Sequence, residues 1–226
     1  MREAVTDGGA EIVSLEDAEA LVWSAPRDAD GLARALSTNG ALQWVQLPFA
    51  GIENFAHLID ADRLWTCGKG VYAEPVAEMA LAMMVAGLRG LPTYSRRRSW
   101  SGPIGRNLLG ANTTILGGGG ITESLVRLMR PFDCRITVVR RQVTAMDGVA
   151  EVLPSDRYHD ALPGSDVVVL ALALTKETEG MIGRDELEAM ETHAWLVNVA
   201  RGRHVVTDDL VVALTEGSIG GAALDV

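Results

Sequence analysis

The chain has 226 residues, enough for one large or two small domains, and its 48% hydrophobic content can fill a core. It has no run of about 18 apolar residues, so no membrane-spanning helix is expected. A net charge of −10 argues against a general nucleic-acid binder. The N-terminus lacks a basic region followed by an apolar one, which speaks against a signal peptide. Cys67 and Cys134 lie far apart with no C-x-x-C spacing. They read as buried free thiols in a reducing, cytoplasmic setting. No metal-ligand set is expected.

The first third alternates short strands and helices. Strands are expected at 11–13, 20–23, 44–47 and 64–66. Helices are expected at 28–36, with Asp28 or Asp30 near the start, and at 52–59. Such alternation predicts a parallel sheet covered on both faces. A long helix over 75–98 follows, with Pro75 in its first turn. Its apolar residues Val76, Met79, Ala80, Met83, Met84 and Leu88 recur at helical spacing and read as core packing. A helix of this length between two βα regions suits a spine joining two domains. The basic run Arg96-Arg97-Arg98 near its end reads as a solvated helix end.

A second βα series has strands at 113–116, 135–139, 167–171, 194–198 and 221–225. Its helices are expected near 121–130, 184–190 and 208–215. The unbroken apolar run 167–171 is the pattern of a central parallel strand.

The most telling stretch is Gly117-Gly118-Gly119-Gly120-Ile121-Thr122. It follows a strand and opens a helix. Glycines keep such a turn tight and let backbone approach a pyrophosphate seated on the helix N-terminus. Gly117, Gly119, Gly120 and Ile121 are therefore candidate cofactor-binding residues. About twenty residues on, the next strand ends in Arg140-Arg141. An NAD-binding unit normally carries Asp or Glu there for the ribose hydroxyls. Two guanidiniums suit a 2′-phosphate, so NADP is the favoured cofactor and NAD the alternative. The other reading of the arginines is a solvated strand end. Thr122 departs from the G-x-G-x-x-G fingerprint, and a β-branched residue is expected to fit poorly at the third glycine position.

Several segments in order resemble the D-isomer-specific 2-hydroxyacid dehydrogenase family. They are Trp44-Val45-Gln46-Leu47-Pro48-Phe49-Ala50-Gly51-Ile52, Gly70 to Glu78, Leu174 to Ile182, Leu196-Val197-Asn198-Val199-Ala200-Arg201-Gly202, and Gly221-Ala222-Ala223-Leu224-Asp225-Val226. The resemblance implies an α/β fold, with a Rossmann-type doubly wound parallel sheet in a dinucleotide-binding domain over 74–226. A smaller flavodoxin-like substrate domain over 1–73 is expected to be incomplete at both chain ends.

The resemblance also implies hydride transfer between a nicotinamide and a small 2-oxoacid. Arg201 would be catalytic, binding the carboxylate and carbonyl; a planar, always-charged fork suits that role. Backbone N–H groups around Ala50, Gly51 and Ile52 would hold the substrate carboxylate. Ala200 would line the nicotinamide side, and Asp225 would receive the carboxamide. The family's general acid, a histidine held by a glutamate, falls downstream of the segment ending at Val226. His57, His159, His193 and His204 do not match it. Phe49 favours a small unphosphorylated substrate, of the glyoxylate or hydroxypyruvate kind. A homodimer through the helix and arm near 75–100, where Tyr94 and Trp100 flank the arginines, is expected. The competing reading is a catalytically incomplete dinucleotide-binding module of the corepressor kind, or a fragment.

Overall fold

Val167, Val168, Val169 and Leu170 are all buried, as a strand covered on both faces requires. A computed structural model of the chain describes residues 2–100 and 102–226. The chain divides into two compact units, one ending at Val71 and the other beginning at Tyr72.

The first unit contains α1 (Arg2–Asp7), β1 (Ala20–Val22), α2 (Ala29–Thr38), β2 (Trp44–Leu47) and β3 (Leu64–Cys67). The three strands form a parallel sheet in the order β1-β2-β3. Val45 and Leu47 of β2 pack on Leu32 of α2 and on Phe55. The Asp28 carboxylate accepts the Gly31 N–H at 2.7 Å and so caps α2.

Two expectations fail in this unit. Residues 11–13 form no strand; they are exposed and join no ladder. One Ile-Val pair buries too little to hold a strand against a sheet. The helix expected over 52–59 is only a 3₁₀ turn, Ala56–Leu58. Phe55 is driven into the core, and the bonds around it run three residues back: its N–H donates to Ile52 O at 2.8 Å, and the Leu58 N–H donates to Phe55 O at 2.9 Å.

The second unit runs α3 (Ala73–Leu88), α4 (Leu91–Tyr94), β4 (Asn112–Leu116), α5 (Gly120–Met129), β5 (Arg135–Val139), β6 (Glu151–Leu153), β7 (Val167–Leu170), α6 (Arg184–Ala189), β8 (Trp195–Asn198), α7 (Thr207–Glu216) and β9 (Gly221–Leu224). Its six strands are parallel in the order β6-β5-β4-β7-β8-β9. Alternate residues of the central strands feed opposite layers. Val167 and Val169 pack with Ala77, Ala80 and Met84 of α3 and with Leu125 and Met129 of α5. Val168 and Leu170 pack with Leu187 of α6 and Leu210 of α7. This is a doubly wound α/β sheet.

The helix expected over 75–98 is two helices. It begins at Ala73 and stops at Leu88, where Arg89 caps it and Gly90 takes φ 64°. A left-handed glycine followed by proline, here Pro92, is a common helix stop. Met79 is 45% exposed while Met84 is fully buried, so Met79 does not belong with the core residues. The edge strand β6 is not among the expected strands, because a three-residue segment carries no readable alternation.

Candidate functional site

The strand order reverses between β4 and β7: the chain moves outward to β5 and β6 on one side, then returns to β7, β8 and β9 on the other. In open parallel sheets, ligands sit beyond the carboxyl ends of the strands at this switch point. The residues following those ends are Gly117 after β4, Arg140 after β5, Ala171 after β7, Ala200 and Arg201 after β8, and Asp225 after β9.

The glycine turn is tightly held. Gly117 has φ 118°, and a Cβ there would lie 2.2 Å from the Ala171 carbonyl oxygen. No side chain fits this conformation and this approach. Its N–H donates to Val139 O at 2.8 Å, and its carbonyl accepts the Thr122 hydroxyl at 2.9 Å. Thr122 is fully buried. The expected poor fit of a β-branched residue is therefore not observed, because its hydroxyl has a backbone acceptor and its methyl is packed.

The other turn residues have distinct surroundings. Gly118 lies under Arg140: a Cβ on it would sit 2.7 Å from Arg140 Cδ. Gly119 is the N-cap of α5, and nothing lies within 4 Å of where its Cβ would be. Gly120 faces α3, with a hypothetical Cβ 3.2 Å from Ala73 Cβ, so its smallness serves helix packing. Ile121 is half-buried and packs part of its side chain on the core. The Gly118 and Gly119 N–H groups have no acceptor among the described residues. Such free donors at a helix start attract anions.

Arg140 is half-buried and Arg141 exposed. Neither has a carboxylate within ion-pair distance among the described residues. The Arg140 N–H donates to Leu153 O at 2.9 Å, so the edge strand β6 steadies the arginine from behind.

On the other side of the switch point, Asn198 ends β8 and is 1% exposed. Its side-chain N–H donates to Arg201 O at 2.9 Å and its side-chain oxygen accepts the Ala200 N–H at 2.9 Å. Both bonds fold the chain sharply at the strand end and set the direction in which Arg201 leaves it. The half-buried Arg201 also donates from Nη1 to Ala200 O at 2.6 Å. Asp225 is exposed, and its N–H donates to Asn198 O at 3.0 Å. Asn198 lies within the 196–202 segment, where the Asn-x-x-Arg spacing is the signal in the sequence that points to this role.

His204 was a poor match for a proton donor, and its surroundings explain why. It is fully buried, with Nδ1 2.9 Å from Thr178 O and Nε2 3.3 Å from Leu172 O. It fastens the loop after β7 to the turn after Arg201. The Ile182 N–H to His204 O bond at 3.0 Å and the Arg203–Glu179 ion pair at 2.6 Å continue the same seam. Within that loop, hydrogen bonds from Thr175 and from its own backbone N–H hold the Glu177 carboxyl below its ordinary range. His193 pairs with Asp166 at 2.8 Å; both precede strands, at the opposite edge of the sheet. His159 pairs with Glu186 at 3.2 Å.

Ala50, Gly51 and Ile52 follow β2 in the first unit. Ala50 is exposed, Gly51 is half-buried, and Ile52 packs on the core there.

Residues 79–226 match the family described as D-isomer specific 2-hydroxyacid dehydrogenase, NAD binding domain. Over 99% of its length the chain is 32% identical to an uncharacterised protein of Corynebacterium melassecola, 75% of which is covered. It is 35% identical to the glyoxylate reductase of Thermococcus gammatolerans, over 69% of this chain and 50% of the relative. The chain thus spans about half the length of the named curated reductases it matches. Among solved structures, a glyoxylate reductase from Paecilomyes thermophila has a TM-score of 0.78 at 26% identity, covering 99% of this chain and 70% of that one. A D-isomer specific 2-hydroxyacid dehydrogenase from Xanthobacter autotrophicus Py2, in complex with NADPH and MES, shares the fold with a TM-score of 0.78 at 24% identity, covering 95% of this chain and 68% of that one.

Proposed function

As the chain belongs to the D-isomer specific 2-hydroxyacid dehydrogenase family, we propose that it serves hydride transfer between NADP(H), in preference to NAD(H), and a small 2-oxoacid or 2-hydroxyacid. The observation that carries this reading is the convergence of the glycine turn and Arg201 on one edge of the sheet, either side of its switch point.

The residues present fit a dinucleotide. Gly119 faces open space that a Cβ would narrow, while Gly117 lets the turn pass against the Ala171 backbone, and the free Gly118 and Gly119 N–H groups suit a pyrophosphate. Arg140 and Arg141, at the end of β5, suit a 2′-phosphate, because guanidinium forks pair with phosphate oxygens. The bound nicotinamide supplies hydride chemistry at a carbonyl carbon. Arg201 binds the carboxylate and carbonyl oxygen of the 2-oxoacid and stabilises the charge that builds on that oxygen. Ala200 and Asp225 flank the nicotinamide. For the first unit taken by itself, the proposal is that backbone N–H groups of Ala50, Gly51 and Ile52 bind a carboxylate and that the apolar Phe49 suits an unphosphorylated substrate.

The subunit contact in this reading is α3 with the arm over 91–100, where Leu91 and Trp100 are 51% and 85% exposed. Free thiols at Cys67 and Cys134 suit a reducing, cytoplasmic compartment.

The test is steady-state oxidation of NADPH and NADH with glyoxylate and hydroxypyruvate, together with binding of both coenzymes to the wild type and to an Arg140→Ser, Arg141→Ser double variant. The expected result is a preference for NADPH that the variant loses through weaker NADPH binding. Equal binding of NADPH before and after the substitutions would remove the 2′-phosphate role. Failure to bind either coenzyme would remove the dinucleotide reading.

A further inference from the structure

We propose that Thr122 is a positioning residue for the dinucleotide, aiming the Gly118 N–H at the pyrophosphate by holding the carbonyl of Gly117. The inference rests on the dinucleotide reading above and concerns a residue at which the chain departs from the glycine fingerprint.

Gly117 is anchored at both ends of its backbone. Its N–H is tied to Val139 O at 2.8 Å, and its carbonyl takes the Thr122 hydroxyl at 2.9 Å. The peptide between Gly117 and Gly118 is planar and trans. In such a unit the C=O and the N–H point in opposite directions. The Thr122 hydroxyl draws the carbonyl toward the buried side of α5, so the Gly118 N–H on the same plane is turned outward. That N–H has no acceptor among the described residues. The next N–H, that of Gly119, is free as well, and Gly118 itself lies under the Arg140 side chain, whose Cδ would be 2.7 Å from a Cβ on Gly118.

Without the hydroxyl, a four-glycine turn has little to choose one peptide orientation over its flip, since glycine tolerates both. A turn that must be ordered when ligand arrives binds more weakly than one already set. Thr122 is fully buried and cannot touch a ligand itself. Its effect on binding therefore passes through the peptide it holds. In helices, Ser and Thr hydroxyls more commonly bond a carbonyl three or four residues back; here the acceptor is five back, outside the helix.

The experiment compares wild type, Thr122→Val and Thr122→Ser. Valine keeps the shape and removes the donor; serine keeps the donor. Dissociation constants are measured by equilibrium fluorescence well below the unfolding temperature of each variant, for NADPH and for adenosine 2′-phosphate, which lacks the pyrophosphate. The expected result is NADPH binding weakened roughly three- to tenfold in the valine variant, as loss of one hydrogen bond implies. Serine restores it, and adenosine 2′-phosphate binds all three proteins alike. Unchanged NADPH binding in the valine variant overturns the proposal. So does equal weakening of the fragment, which would mean a general loosening, or failure of serine to restore binding. If wild type binds neither NADPH nor NADH nor the fragment, the dinucleotide reading falls, and this proposal with it.

Discussion

Asn198 holds Arg201 by the backbone: the asparagine side chain donates to the arginine carbonyl at 2.9 Å and, through its oxygen, accepts the N–H of the intervening Ala200 at 2.9 Å. Both bonds are made by a residue that is 1% exposed, so water cannot replace them. Asn198→Ala leaves two backbone groups short of a partner and is expected to cost about 1–3 kcal/mol of stability. It should also lower kcat/KM for the 2-oxoacid more than it changes coenzyme binding. Arg201→Lys keeps the charge but loses the fork, and is expected to lower kcat/KM roughly 100-fold or more. Lysine performing as well as arginine in steady-state assays would remove the two-oxygen role of Arg201.

Gly117 and Gly119 separate structure from binding. Gly117→Ala meets both φ 118° and the Ala171 carbonyl oxygen at 2.2 Å, and is expected to destabilise the fold by several kcal/mol, on the order of the larger single-residue effects. Gly119→Ala meets nothing within 4 Å and should leave the melting temperature unchanged while weakening NADPH. Thermal denaturation beside a binding titration checks both; a large stability loss at Gly119 would contradict the open cradle.

His204→Leu leaves the Thr178 and Leu172 carbonyls without the imidazole between them. A neutral imidazole has one N–H and donates to one of these carbonyls at a time, so a cost of about 1–3 kcal/mol is expected. Because the bonds hold the loop after β7, trypsin should cut sooner at the exposed Lys176. His204→Gln, which keeps a donor, should recover part of the protection. Cleavage at the wild-type rate in the leucine variant would show that other contacts hold the loop.

Tyr158 gives a pH signature. Burial first, and the Glu186 carboxylate second, push its hydroxyl from an ordinary value of 10.0 up to about 12. Between those values the folded chain keeps a proton that the unfolded chain releases. The stabilising contribution is therefore complete below pH 10 and is lost as pH rises toward 12. Tyr158→Phe cannot titrate and should show a shallower fall in urea midpoint between about pH 10 and pH 12. Parallel declines in the two proteins would rule out the raised value.

Much of the second unit was legible because its signals are local. A run such as Val167-Val168-Val169-Leu170 reads as a central strand, and Arg135–Val139 is found at the bounds expected for it. Leu88-Arg89-Gly90-Leu91-Pro92 contains a helix stop, but the apolar periodicity before it runs on past Gly90 and so suggests one continuous helix. The strand at 11–13 and the helix at 52–59 failed because short apolar clusters take their conformation from what they pack against. Phe55 sits in its core by a 3₁₀ turn that no periodicity announces.

The alternation of strand and helix, the glycine turn at the end of β4 and the arginines at the end of β5 are written locally in the chain, because they depend on residue type and spacing along one stretch. That Thr122 reaches back to Gly117, that Arg140 lies over Gly118, that Asn198 carries Arg201 and that His204 seams two loops follow from the packed fold alone. Those contacts depend on where hydroxyl, amide and imidazole groups find acceptors once the sheet has ordered its strands. Buried polar groups must be paired, but which pairs form is set by the packed fold and not by neighbours in the chain.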